Sequence, residues 1–345
     1  MIVAIGDIHG CFDPLKALIN AIEGYRNTVE DIEYIFIGDY IDRGPSTKEV
    51  LDFLIHLKAQ KTFLMGNHEH MLLVYYKGSH QYQSVGEAWL RKKNGGLRTL
   101  QALDPTASIS HRKGFHVDSE IDNRQYSFVL DHQYQIFFES LKFAQIRELQ
   151  ISGKRYKLLF SHSVPNHRIP IQELIDCESY EAFDELNARY AIPPAKMNLW
   201  NRDFLTEPFE GAVLIHGHTP TIVVDRYIGN ERTSYRNHTE QPILEEPATH
   251  FVDFFTDQPG EWQAGVAFSV NKQSKEVVQI DIDCGAVYGS RLSAICFPCS
   301  EKERRTMDKL GILMNPIYVN CSGGYYKQWS SIQKTGLTLS MLPNE

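Results

Sequence analysis

Residues 1–10 read Met1-Ile2-Val3-Ala4-Ile5-Gly6-Asp7-Ile8-His9-Gly10, a short apolar run that stops at a glycine and an acid. The pattern returns twice before residue 70. Tyr34-Ile35-Phe36-Ile37 runs into Gly38-Asp39-Tyr40-Ile41-Asp42-Arg43-Gly44, and Thr62-Phe63-Leu64-Met65 runs into Gly66-Asn67-His68-Glu69. Between these runs, Leu15, Leu18, Ile19 and Ile22 recur at helical spacing. So do Val50, Leu51, Leu54 and Leu57, behind a capping Ser46 or Thr47. Short apolar strands alternating with amphipathic helices predict an α/β fold whose sheet is covered on both faces, with ligands at the strand C-termini. Each predicted strand ends in a polar, glycine-containing loop, so the loops are expected to converge on one edge.

From about Tyr75 to Gln150 the rhythm changes. Aromatic and polar residues mix, and Asn94-Gly95-Gly96 and Asp104-Pro105 mark turns, which predicts a helical insertion over about 76–150. Strands resume at Tyr156 to Phe160 and at Ala212 to Ile215, and both run into histidines: His162, then His216-Gly217-His218-Thr219-Pro220. Period-two alternation at Ile222 to Asp225, Gly265 to Val270 and Val277 to Ile282 predicts antiparallel strands, with a polar loop at Gly229 to Pro247. The reading therefore places one domain over 1–300 and leaves 301–345 as a C-terminal segment without an assigned role.

Composition excludes several classes. The 345 residues are 42% hydrophobic and 23% charged, ordinary for a globular protein and far from a disordered or fibrous chain. With 35 Lys+Arg against 43 Asp+Glu the net charge is −8, which gives no basic footprint for duplex nucleic acid or an anionic membrane surface. No apolar run approaches the roughly 18 residues of a membrane helix, and the N-terminal run lacks the basic flank of a signal peptide. Six cysteines are too sparse for a disulfide scaffold, so a reduced, cytoplasmic chain is expected.

The loops hold Asp7 and His9; Asp39, Asp42 and Arg43; Asn67, His68 and Glu69; His162; and His216 and His218. Carboxylates, imidazoles and one amide at successive strand ends are the ligand types of a divalent transition-metal site. One such loop means little, because Gly-Asp turns are common. Independent accidents would not all fall on one sheet edge.

These blocks resemble the phosphoprotein-phosphatase branch of the calcineurin-like metallophosphoesterases. That branch includes eukaryotic Ser/Thr phosphatases, bacteriophage lambda phosphatase and bacterial symmetrical diadenosine tetraphosphatases. The resemblance is specific over residues 1–70. It returns at Ser161-His162, Trp200-Asn201-Arg202, Gly217-His218-Thr219-Pro220 and the run Ile282-Asp283-Cys284-Gly285-Ala286-Val287-Tyr288-Gly289; Trp89 to Leu100 also looks like a helical segment of the bacterial members. It implies a four-layer α/β/β/α sandwich carrying two divalent ions. Asp7, His9 and Asp39 would hold the first ion. Asp39 would bridge to the second, held also by Asn67, His162 and His218. Manganese, iron and zinc all suit mixed nitrogen and oxygen ligands; manganese is the favoured choice.

The same resemblance implies a metal-held hydroxide as nucleophile and Arg43 with Arg202 as the phosphate clamp. His68 would protonate the leaving oxygen, with Asp42 orienting its ring and favouring the protonated form. A phosphorylated substrate is the expected partner: a phosphoprotein or small phosphoester in one reading, a dinucleoside tetraphosphate in the other. A catalytically silent module on this fold would be expected to have lost ligands, and none is missing here. Cys11 reads as a helix-start residue, not a nucleophile, and Cys296 and Cys299 as reduced structural thiols. His216 is either a second-layer group or a packed strand-end residue. Arg91, Lys92, Lys93, Tyr82 and Trp89 are possible anchors for a longer anion, and Tyr288 either borders the pocket or sits in the core.

Overall fold

The computed structural model describes residues 1–29, 31–78, 83–111, 124–221, 248–258, 261–321, 328–329 and 339–343. The chain opens with β1 (Ile2–Ile5), α1 (Phe12–Glu23), β2 (Glu33–Phe36), α2 (Thr47–His56) and β3 (Gln60–Phe63), and the three strands pair in parallel. The apolar runs at β1 and β2 are explained by burial on both faces, whereas β3 is a partly exposed edge strand. In β1, Ile2 and Ala4 point into one core cluster while Val3 and Ile5 point into another. The helices supply the second face: α1 buries Leu15, Leu18, Ile19 and Ile22, and α2 buries Val50, Leu51 and Leu54. Lys61 on β3 closes α2 by donating from Nζ to the carbonyls of Leu54, Ile55 and Leu57 at 2.8, 2.9 and 2.7 Å, so the orphan helix-end acceptors are satisfied.

There follow α3 (Asn67–Lys77), α4 (Gln83–Trp89), α5 (Gly96–Leu103), β4 (Ser108–His111), β5 (Arg124–Ser127), α6 (His132–Glu139), β6 (Ala144–Ile151) and β7 (Lys154–Ser161). The second half contributes α7 (Ile171–Ile175), α8 (Tyr180–Arg189), β8 (Val213–His216), β9 (Ala248–Gln258), β10 (Glu261–Asn271), β11 (Val277–Asp281), β12 (Arg291–Phe297), α9 (Glu301–Leu310), β13 (Ile317–Asn320) and β14 (Gln328–Trp329). One six-stranded sheet has the order β14-β13-β12-β1-β2-β3 and the other β6-β7-β8-β11-β10-β9. They pack face to face through Ile2, Ala4, Ile35 and Phe297 on one side and Leu158, Phe160, Val213, Ile215 and Ile280 on the other. Leu159 and Leu214 turn the opposite way, into the cluster that contains Ile171, Phe183 and Leu186 of α7 and α8. The result is the expected four-layer α/β/β/α sandwich. Parallel pairing of β7 with β8 and of β8 with β11 brings three more strand ends to the edge used by β1, β2 and β3.

Two expectations are corrected. The segment 76–150 is helical in α4, α5 and α6, but β4 and β5 form their own antiparallel pair and β6 is an edge strand of the second sheet, antiparallel to β7. The β6–β7 turn is Ser152-Gly153 with φ of 54° and 77°, the paired positive-φ geometry that matches hairpin twist. Nor does a boundary fall at residue 300. The open edge of β12 is taken by β13 and then β14, and Glu303 of α9 pairs with the Met1 ammonium at 2.7 Å. Tyr82, the strand expected at Ile222 to Asp225 and the loop expected at Gly229 to Pro247 lie outside the described residues. Among the described residues no helix is long and apolar enough to cross a membrane.

Candidate metal centre

The site is built where the parallel strands end. β1 delivers Asp7 and His9, β2 delivers Asp39, Asp42 and Arg43, and β3 delivers Asn67 and His68 at the first turn of α3. From the second sheet, β7 delivers His162, β8 delivers His216 and His218, and β11 leads into Asp283. Five of these residues carry positive φ: His9 (45°), Asp39 (51°), Asp42 (71°), Arg43 (62°) and His218 (68°). That conformation costs a non-glycine residue about 1–3 kcal/mol, so the surrounding contacts must hold the loops in place. Gly217 shows how tightly they close. A Cβ there would lie 2.1 Å from Asp7 Oδ1, so only glycine lets this backbone reach that carboxylate.

Asp39 is the centre of the arrangement. Its Oδ2 lies 3.2 Å from His9 Nε2 and its Oδ1 3.5 Å from His162 Nε2. Two groups of possible ligand atoms share it, His9–Asp39–His68 and Asp39–His162–His218, each with its atoms within 4.8 Å of one another. Asn67 Oδ1 joins the second group, 3.0 Å from His162 Nε2 and 2.8 Å from His218 Nδ1. Asp7 is a member of neither group; its carboxylate accepts the His218 N–H at 3.2 and 3.1 Å.

Proton accounting shows that these atoms fit a cation. A backbone carbonyl only accepts, so His9 Nδ1 must donate to Ile41 O at 2.8 Å and His162 Nδ1 to Ile37 O at 3.0 Å. Burial holds His162 below its ordinary value despite the Asp39 charge, so its Nε2 is a lone pair turned toward the oxygens of Asn67 and Asp39. Lone pairs facing lone pairs repel unless a positive charge lies between them. An outer N–H on a carbonyl is also the usual support of a metal-bound imidazole. At His9 the Arg43 guanidinium makes this contact, 2.6 Å from Nε2. The carboxylates agree: burial, then Asp283, then Asp39 push Asp7 well above the usual carboxylate range. Burial and Asp283 do the same to Asp281, whose buried Oδ2 has no hydrogen-bond partner. A divalent ion offsets such crowding.

His68 Nδ1 lies 2.6 Å from Asp42 Oδ2, and both residues are buried. Asp42 thus lies where it contacts the ring at Nδ1. Burial pushes His68 well below its usual value and Asp42 well above. His68 Nε2 is buried with no hydrogen-bond partner, within reach of His9 and Asp39. Arg202 donates from Nη1 to His218 O at 2.8 Å, and Arg43 stands 5.8 Å from the centroid of the half-exposed Tyr288 ring. Both arginines thus stand at the site. His216 is the packed alternative: Nδ1 contacts Gly217 O and Nε2 contacts Gln279, each at 2.8 Å, and burial lowers it to about 4. Lys92 and Lys93 are exposed.

Sequence reasoning missed what three residues do here, and Trp89, read there as a possible anchor for a longer anion, is fully buried. Glu69 takes four backbone N–H groups on its two oxygens, from Asp39 (2.9 Å), Tyr40 (2.8 Å), Ile41 (3.2 Å) and Gly66 (3.0 Å), and so fixes the loop that carries Asp39. Asp283, quoted within a motif but given no role, obeys the same rule of an acid just beyond a strand end. Trp89 donates from Nε1 to both oxygens of Asp42. Nothing in the residue's spacing announces that contact.

A strand-end cluster of this composition on an α/β/β/α sandwich defines a dinuclear-type phosphoesterase scaffold. Residues 1–245 match the calcineurin-like phosphoesterase family, and the chain belongs to it. Among curated relatives, a symmetrical bis(5'-nucleosyl)-tetraphosphatase of Cellvibrio japonicus is 39% identical over 74 residues, 21% of this chain and 26% of that protein. One of the same description from Buchnera aphidicola is 27% identical over 204 residues, 56% of this chain and 69% of that protein. The chain thus matches about a quarter of the length of the first of these. A solved structure of a cold-active protein tyrosine phosphatase variant is 14% identical with a TM-score of 0.43, covering 96% of this chain and 80% of that one.

Proposed function

We propose that the chain is a metal-dependent phosphoester hydrolase that acts on a terminal phosphoryl group, in the manner of the protein-phosphatase branch. The observation that carries this reading is the pair of ligand groups sharing Asp39, with two arginines beside them. Asp7, His9, Asp39, Asn67, His162 and His218 would hold two divalent ions, with manganese the favoured identity. Such ions supply water activation at neutral pH and charge for the phosphoryl oxygens. The rest falls to the chain's own side chains. Arg43, placed beside His9, would meet the phosphoryl oxygens from that side, and Arg202 from the His218 side. His68 Nε2 delivers a proton to the leaving oxygen, and Asp42 fixes the ring through Nδ1. Six cysteines without a disulfide partner support a reduced, cytoplasmic setting.

Among the described residues, the guanidinium charges of Arg43 and Arg202 act on the site's histidines and acids, which suits one phosphoryl group. The second reading, hydrolysis of a dinucleoside tetraphosphate, is favoured by the names of the curated relatives. The ratio of kcat/KM for a phosphopeptide to that for diadenosine tetraphosphate, at matched manganese, separates the two. A ratio above one is expected. A tetraphosphate preference of about tenfold, roughly 1.4 kcal/mol of transition-state discrimination, would install the second reading.

A further inference from the structure

We propose that Trp89 is a positioning residue for proton delivery, and that α4 and α5 form a clamp behind the His68–Asp42 pair. The inference rests on the reading of His68 as the proton donor. Trp89 is fully buried at the end of α4, and its Nε1 donates to Asp42 Oδ1 at 3.1 Å and Oδ2 at 2.9 Å. Oδ2 is the atom 2.6 Å from His68 Nδ1. One N–H thus spans both carboxylate oxygens and sets the plane from which Asp42 meets the imidazole. The indole is itself fixed, with ring centroids 5.6 Å from Tyr75 and 5.8 Å from Phe128. Gly96 closes against it, since a Cβ there would lie 2.6 Å from the indole ring.

Three further contacts hold the same turn. Thr99 Oγ1 accepts the Asp42 N–H at 3.0 Å, and Arg98 Nη1 donates to Arg43 O at 2.7 Å. Gly95 approaches so closely that a Cβ would lie 2.4 Å from Arg43 N. Asp42 and Arg43 are two consecutive residues at positive φ, so the turn is not self-supporting. Every one of these contacts comes from residues 89–99. The segment therefore acts behind the proton donor and beneath the phosphate-binding arginine.

Trp89→Phe keeps the ring and removes the N–H. Turnover is measured on p-nitrophenyl phosphate, whose leaving group needs no proton, and on a phosphoserine peptide, whose alkoxide does. Melting temperature and manganese per chain are measured alongside. The expected result is p-nitrophenyl phosphate turnover within about threefold of the parent and peptide turnover down by about thirtyfold. Metal content and melting temperature should stay near the parent. Asp42→Asn should lower peptide turnover more than p-nitrophenyl phosphate turnover, and the double variant should be no worse than Asp42→Asn alone, because both changes break one linkage. Equal losses on the two substrates, or losses that multiply in the double variant, overturn the proposal. If Asp42→Asn and His68→Asn show the split and Trp89→Phe does not, Trp89 has no such role while His68 remains the donor. If neither Asp42→Asn nor His68→Asn shows it, the donor reading fails and takes the proposal with it. Should Trp89→Phe fail to fold, Thr99→Val, which removes the acceptor for Asp42 N–H at similar volume, must show the split in its place.

Discussion

Replacing Glu69 by glutamine should loosen the loop that carries Asp39, and the geometry gives the size of the effect. Oε1 takes the N–H groups of Tyr40 and Ile41, and Oε2 takes those of Asp39 and Gly66. Glutamine keeps one carbonyl oxygen, so at least two of these four bonds are lost and an amide N–H₂ is turned toward two N–H donors. Each buried N–H left without its acceptor costs about 1–3 kcal/mol, so two amount to about 2–6 kcal/mol. Against a domain stability of about 5–15 kcal/mol this is severe, a fall in melting temperature on the order of 10 °C. Asp39 is held at φ 51° beside these bonds, so manganese affinity should fall as well. Thermal denaturation of metal-free protein and manganese titration of Glu69→Gln read the two effects separately. A melting temperature within about 2 °C of the parent with unchanged manganese affinity would refute the assignment of Glu69 as the support of this loop.

Gly217→Ala places a methyl group 2.1 Å from Asp7 Oδ1 and must displace that carboxylate or the His218 N–H it accepts. Activity should drop by at least about 10²-fold, since a misplacement near 1 Å costs that much; turnover above a tenth of the parent would show that the loop yields cheaply. Cys11→Ser should retain activity within about twofold. Burial pushes that thiol up to about 12, so it is no nucleophile at neutral pH. Inactivation by an alkylating reagent that Cys11→Ser abolishes would contradict this.

The first sheet was legible because β1 and β2 lie in short apolar runs buried on both faces and β3, a partly exposed edge strand, leads into the apolar Leu64-Met65; each run is stopped by glycine and a polar residue. The helices between them carry apolar stripes at the correct period. The same pattern exposed the ligands, since a strand that ends in Gly-Asp or Gly-Asn presents its polar group at the sheet edge. β6 was hidden because Arg147 and Glu148 interrupt its alternation, and its identity rests on pairing with β7 across Ser152-Gly153. β13 was hidden for a related reason: a four-residue strand gains its stability from the β12 edge, not from its own composition. At the site, the ligand types could be read from the residues. The supports could not, because Glu69 and Trp89 act through distances of about 3 Å to loops remote in sequence. Asp283 had a signal that went unused, an acid beyond a strand end.

The account stands most directly on Asp39 being shared between two metal sites. Manganese per chain is the measurement, made by elemental analysis of the metal-loaded parent and of Asp39→Asn after removal of free ions, with chelated protein as the baseline. The account predicts two ions in the parent, none after chelation together with loss of turnover, and fewer than one in Asp39→Asn because both sites weaken at once. A parent that holds a single ion, or an Asp39→Asn variant that keeps two, would contradict it.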